Sequence, residues 1–525
     1  MTPRYDGIVI GGGVNGLVAA TVLARAGRKI LLLERRDGIG GQVRSTEFAP
    51  GFKSAALTGD AGWLPSGVVR AVRLAVPELV LPEATLAVRA DEREWLVLSR
   101  DLGRSAETIR RYSARDAQAW AGFCTRLAKH AGFLAALYQL PPPDIDAARP
   151  GELLPLLGLA WKLRGLGRRD MVELLRTVPL AVQELLDDEF ESEPLKAAIA
   201  ASAIRELRQG PRSGGTAFGL LHSQVGAAPG AIRGSGYWKA GPDALAAALA
   251  AAARTSGVEI RAGAEVAAVL AREDRVTGVA LAHGEEIQSP VVLSSLDPAR
   301  TLLGLVDPVW LDPEFLLAVR NIKFRGSVVK VSYALDALPD FAGLPGGSTD
   351  LTGTLSLSGS LLELERAADA AKYGRISERP HVEVQLPSLR WPDLAPSGKH
   401  VLVAHAQWAP FRLRNGSWDA ETREALGDRI SQTIEQAAPG FGALVREREV
   451  LTPADLAQRY GLTEGALNHG EMGLDQILFM RPVAGAARYA MPLSGLYLCG
   501  AGAHPGYGSS GGPGWLAAKR VLSDV

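Results

Sequence analysis

The 525-residue sequence predicts an α/β fold: a parallel, doubly wound sheet built from both ends of the chain, with a second domain of mixed sheet and helix inserted between them. Three observations predict it. A short apolar strand, Ile8-Val9-Ile10, runs into Gly11-Gly12-Gly13-Val14-Asn15-Gly16. A second, Leu496-Tyr497-Leu498, runs into Cys499-Gly500-Ala501-Gly502 near the other end. The length between them exceeds what one core holds, since single cores stop growing near ~250–300 residues.

The elements follow in order. Residues 17–24 are apolar with small side chains early, as a helix packed on a sheet requires, and Gly27 ends them. Residues 29–34 read as the next strand, completing a βαβ unit with a parallel strand pair. Residues 106–186 carry helical periodicity, broken by the prolines at 141–143. The alanine-rich stretch 244–253 predicts a helix, 258–260 a strand, and 266–270 with 275–281 a hairpin. Residues 290–295 predict a buried strand, and 323–335 and 399–408 alternate as sheet strands. The Rossmann-like domain is therefore discontinuous, over 1–75, 235–300 and 485–525, and residues 76–234 and 301–484 form a substrate or cap domain.

Lys plus Arg and Asp plus Glu balance at 57 each, so no basic excess points to nucleic acid. The two cysteines, Cys124 and Cys499, form no Cys-x-x-Cys pair and are expected to be small buried residues. Asp6 interrupts any leader and no run of about 20 apolar residues reads as a membrane span, which predicts a cytoplasmic protein. No zinc spacing or Walker loop stands out, so no metal is expected, and His222, His283, His381, His400 and His405 read as structural.

The chemistry gathers at the glycine turns. Gly11-x-Gly13-x-x-Gly16 puts backbone N–H groups and a helix dipole at a pyrophosphate, with Val14 and Asn15 opening the helix. Gly11 allows the turn, Gly13 the approach of phosphate, and Gly16 the packing of helix on strand. Glu34 stands where a carboxylate accepts ribose hydroxyls, which disfavours a 2′-phosphate. Arg35 and a second glycine turn at Gly40 and Gly41 follow at once, an order that favours FAD over NAD. Ser45 reads as a phosphate or ribityl contact or as a plain turn serine, and the Val266 backbone as an adenine contact. Gly500, Gly502, Gly511 and Gly512 precede a last helix whose N-terminus would face the flavin, where negative charge grows on reduction.

These residues resemble the phytoene desaturase-like FAD oxidoreductases, within the flavin amine oxidase fold group. The likeness is carried by residues 10–20 and 34–41, Pro50-Gly51-Phe52-Lys53, Phe190-Glu191-Ser192-Glu193-Pro194-Leu195-Lys196-Ala197, Leu474-Asp475-Gln476, Arg481-Pro482-Val483 and 495–514. Ala240-Gly241-Pro242 and Trp515-Leu516 depart from the usual Gly-Gly-Met and Asn of that branch. The resemblance implies a two-domain FAD-dependent oxidoreductase that moves hydride between flavin and a carbon of an apolar substrate, isoprenoid or polyene-like. An amine or amino-acid oxidase and a low-turnover flavin-binding regulatory protein are the alternatives. His504, in the flavin loop, and His469, before Gly470, are the candidate catalytic residues. Trp238 and Lys239 follow the glycines near 234–236, and Lys239 reads as an ordinary strand lysine. Lys330, a charge within an apolar run, reads as an edge-strand lysine rather than a buried functional one. Leucines, Trp161 and basic residues between 151 and 180 fit either a bilayer surface or a packed cap helix, and a homo-oligomer is open.

Overall fold

Five short strands form a parallel sheet in the order Leu496–Leu498, Val292–Ser294, Gly7–Ile10, Ile30–Leu33 and Glu259–Arg261. Ile8, Val9, Leu31, Leu32, Val292 and Leu293 have no exposed surface, as a sheet covered on both faces demands. The computed structural model describes residues 4–525 apart from 56, 58–59, 143–149, 233–235, 347–350, 507 and 509. Parts of the predicted glycine stretch at 234–236 and of the loop before the last helix lie outside the described residues.

The two ends of the chain meet through backbone. A Cβ on Gly16 would stand 2.1 Å from the Gly11 carbonyl oxygen, so only glycine lets the helix Val14–Arg25 sit that close to its strand. A Cβ on Gly514 would stand 2.0 Å from the Asn15 carbonyl oxygen, which presses the closing helix Gly512–Asp524 onto the opening one. Small buried side chains, Ala19, Ala20, Ala517 and Ala518, belong to the same core.

The second layer is a seven-stranded sheet in the order Val445–Leu451, Val328–Leu335, His400–Gln407, His381–Gln385, Thr354–Ser356, Ala84–Asp91 and Glu94–Ser99. It is antiparallel except where Thr354–Ser356 runs beside Ala84–Asp91. Helices Ala114–Leu137, Val182–Glu189 and Glu193–Ala203 cap it around Trp120, Phe123 and Phe190, the two phenylalanine rings 4.9 Å apart edge to face. The helical reading of 106–186 thus matches the helices found there.

Lys330 corrects the edge-strand reading. Its strand is paired on both sides, so the side chain is buried, and its ammonium donates to the Ser54 hydroxyl at 2.7 Å. Burial pulls its pKa down to about 7. Both cysteines are buried free thiols, Cys124 pushed up to about 12 by desolvation. Among the described residues no helix is long and apolar enough to cross a membrane.

Candidate active site

The carboxyl ends of the central parallel strands open on a cleft of about 320 Å³. Gly11, Gly13, Val14 and Asn15 line it from the first turn, and Glu34, Arg35 and Gly41 from the second. Val266 lines it too, with Ala264 and Glu265. The helix Val14–Arg25 starts here with no side-chain cap and no acidic residue in its first turn. Its first N–H groups and the positive end of its dipole are therefore left for an anionic ligand. Glu34 is almost buried and accepts from the Gly12 N–H at 2.8 Å and the Arg36 N–H at 2.9 Å. Two bonds leave lone pairs on that carboxylate for hydroxyl donors. The glycine turns face each other closely: a Cβ on Gly41 would come within 3.0 Å of the Gly13 Cα. This donor set and glycine cradle fit a dinucleotide.

Other predicted residues lie behind that lining. Gly16 packs the helix on its own turn, and the Gly40 N–H donates to the Gly12 carbonyl at 2.9 Å. Gly500 presses on the Ser295 carbonyl, Gly502 on Pro298, Gly511 on Val18 and Val68, and Gly512 on Pro505. These four hold the chain against its neighbours, while Ala501 and Gly508 of the same stretch reach the cleft itself. The Ser45 backbone N–H and hydroxyl both donate to the Asp243 carboxylate, which turns Ser45 away from the cleft. The Arg35 guanidinium donates to the Arg459 carbonyl at 2.9 Å.

The two histidines part company. His469 lines the cleft at φ +56°, its Nδ1 without a hydrogen-bond partner, and burial lowers its pKa. His504 lines neither cavity. Its ring is buried edge-on against Tyr138, 6.1 Å between centroids, and Nε2–H donates to the Leu140 carbonyl at 3.1 Å. Desolvation lowers its pKa to about 4, so it is neutral and structural, a correction to its expected place at the flavin edge.

A second cavity of about 350 Å³ meets the first at Gln42 and Gly508, which line both. Trp63, Leu79, Leu81, Leu207, Val225, Trp238, Leu245, Leu467 and Met472 make its lining largely apolar. It has two carboxylates, Asp60 and Glu206. Asp60 is ion-paired with Arg390 at 3.2 Å. Glu206 sits at φ +63°, one oxygen accepting from the Asn468 amide at 2.6 Å and the other 3.5 Å from the Arg205 guanidinium. His222 also lines this chamber; its Nδ1 is 2.8 Å from the Tyr138 hydroxyl, and burial lowers its pKa to about 3. Lys239 pairs with Glu78 at the surface, the ordinary role expected of it.

Arg481 ties the two cavities together. It is buried, and its guanidinium donates only to carbonyls: those of Asn468, Gly470, Glu471, Gln476 and Ala501. Desolvation lowers its pKa to about 10, which leaves it charged at neutral pH. The loop bearing Asn468 and His469 is thereby fixed to the turn after the last parallel strand. Glu206, Asn468 and Arg481 were not singled out from sequence as site residues; the Arg481-Pro482-Val483 block was the one signal available.

The model of the flavin containing amine oxidoreductases matches residues 164–522, and that of NAD(P)-binding Rossmann-like domains matches 9–67. The chain therefore belongs to the flavin-containing amine oxidoreductase family; it is an FAD-dependent oxidoreductase. It is 35% identical over its whole length to the pyridine nucleotide-disulfide oxidoreductase domain-containing protein 2 of Rattus norvegicus, covering 94% of that protein. It is 23% identical to a component of the limonene dehydrogenase of Castellaniella defragrans, over 99% of this chain and 95% of that one. With the hydroxyneurosporene desaturase of Cereibacter sphaeroides it shares 26% over 99% and 97%. Putrescine oxidase bound to putrescine has the same fold, with a TM-score of 0.59 at 14% identity and all of both chains covered.

Proposed function

We propose that this oxidoreductase dehydrogenates an apolar, isoprenoid-like substrate at carbon. The observation that carries the reading is the chamber: it is lined mainly by apolar side chains, and it opens onto the cofactor cleft at Gln42 and Gly508. Bound FAD supplies the acceptor for a hydride from a substrate C–H bond. The chain supplies orientation and a proton acceptor. Trp63, Leu207, Trp238 and Met472 hold the substrate by area rather than by charge. The Glu206 carboxylate, held in place by Asn468 on one oxygen and Arg205 beside the other, takes the proton from the carbon beside the one that loses hydride. His469 stays neutral and closes the cleft beside Asn468 rather than acting as an acid. The roles of Gly11, Gly13, Val14, Asn15, Glu34, Arg35, Gly41 and Val266 are to hold the dinucleotide, since they line its cleft.

An amine substrate is disfavoured by the same chamber. Each of its carboxylates already has an arginine beside it, Arg390 for Asp60 and Arg205 for Glu206, so neither is left to neutralise an ammonium. The test is anaerobic mixing of the holoprotein with limonene and, separately, with putrescine, following the flavin absorbance. Bleaching by limonene alone supports the reading. Bleaching by putrescine alone, or by neither, removes it, the last outcome favouring a flavin-binding regulator.

A further inference from the structure

The cap helices Pro150–Gly165 and Arg168–Thr177 carry side chains that the fold neither buries nor pairs. Leu157, Trp161, Val172 and Leu175 are exposed large hydrophobics, Trp161 at 75%. On the second helix, positions 168, 172 and 175 share one stripe, so Arg168 flanks the exposed Val172 and Leu175. The charges are sorted by sign. The acids Asp170 and Glu173 turn inward, to Lys129 and Arg126 of the helix Ala114–Leu137. Arg176 is neutralised by Asp188 at 2.6 Å. Lys162, Arg164, Arg168 and Arg169 remain exposed, and among the described residues none is ion-paired to a carboxylate. Leu163, Leu166 and Leu174 already pack these helices on the core, so the outward large apolar groups are a second set, standing among cations that have no carboxylate ion pair.

We infer that this helix pair docks on an anionic lipid bilayer, Trp161 and the leucines entering the headgroup boundary and the four cations meeting lipid phosphates. Water gives such a surface no partner for its apolar groups, and a neutral surface gives none for its cations, whereas an anionic interface satisfies both. The inference stands apart from the choice of substrate.

The test is flotation of the holoprotein with vesicles of phosphatidylcholine alone and of equimolar phosphatidylcholine and phosphatidylglycerol. Binding is expected to the anionic vesicles, to fall at least about tenfold when raised salt screens the charges, and to fall similarly in K162E/R164E/R168E/R169E. Trp161→Ser is expected to weaken binding while FAD content and melting temperature stay unchanged, since the side chain touches neither cavity. Wild-type protein that stays at the bottom of the gradient with anionic vesicles overturns the proposal. So does equal binding by the charge-reversed variant. A dimer in light scattering that Trp161→Ser dissociates, without vesicle binding, assigns the patch to a second copy instead and equally overturns it.

Discussion

The glycine-lined cleft and the apolar chamber adjoin one another, yet they are made of different material. The cleft is made largely of backbone, glycine turns and uncapped helix N–H groups, with backbone pressed on backbone behind it at Gly16, Gly500 and Gly514. The chamber is made of side chains brought from Trp63 to Met472, with its carboxylates held by other side chains, Glu206 by Asn468 and Arg205 and Asp60 by Arg390. Backbone architecture tolerates no added atoms, whereas a side-chain lining can be retuned one residue at a time. The same framework thus accommodates putrescine oxidase and this chain with 14% identity.

The comparison breaks most visibly where backbone meets backbone. Gly514→Val puts its Cβ on the Asn15 carbonyl, so the closing helix must leave the opening one. A loss above about 4 kcal/mol is expected, with colourless protein, read by chemical denaturation and the flavin spectrum. If the variant stays yellow and stable, the ends of the chain do not grip as described. Arg481→Met strikes the joint between the two regions. It removes a donor from five carbonyls, of which that of Glu471 keeps the Gln476 amide and that of Asn468 is half-buried; the other three cost about 1–3 kcal/mol each if left dry, partly recovered by relaxation. The expected result is a loss of about 4 kcal/mol together with weakened FAD retention, and undiminished stability would contradict the role given to that guanidinium.

Acid sharpens the comparison from the interior side. His222 and His504 are held neutral, near 3 and 4, against an ordinary value of about 6.5. Between those limits the unfolded chain binds more protons than the folded one, so stability falls as pH drops below about 6.5. His504 alone accounts for about 3 kcal/mol by pH 4. Melts of His504→Gln across pH 7 to pH 4 should show a shallower slope, by up to about 1.4 kcal/mol per pH unit. An unchanged slope would mean that His504 is solvated and charged.

How much was legible follows the same division. The strand, turn and helix around Gly11 to Gly16, and Glu34 after the second strand, are local patterns, and the residues gather at one cleft. The later glycines were legible as close approach but not as to what they approach: Gly500 and Gly502 meet Ser295 and Pro298, which only the folded sheet places beside them. Lys330 looked like an edge residue because its own strand says nothing of the partners on its two sides. His504 sits in the expected loop, but the direction of its ring is set by Tyr138 and Leu140, hundreds of residues away. Glu206 was illegible because it lies in an ordinary charged run, and its left-handed backbone and Asn468 partner are tertiary facts.

The central claim is that dinucleotide binding and substrate chemistry are separable, the first in the glycine cleft and the second at Glu206. Stopped-flow reduction of Glu206→Gln by limonene tests it. The variant is expected to hold one FAD per chain and to photoreduce like the wild type, while limonene reduces its flavin at least about a hundredfold more slowly. Reduction at the wild-type rate would contradict the assignment of the proton to Glu206, and loss of FAD from the variant would contradict the separation itself.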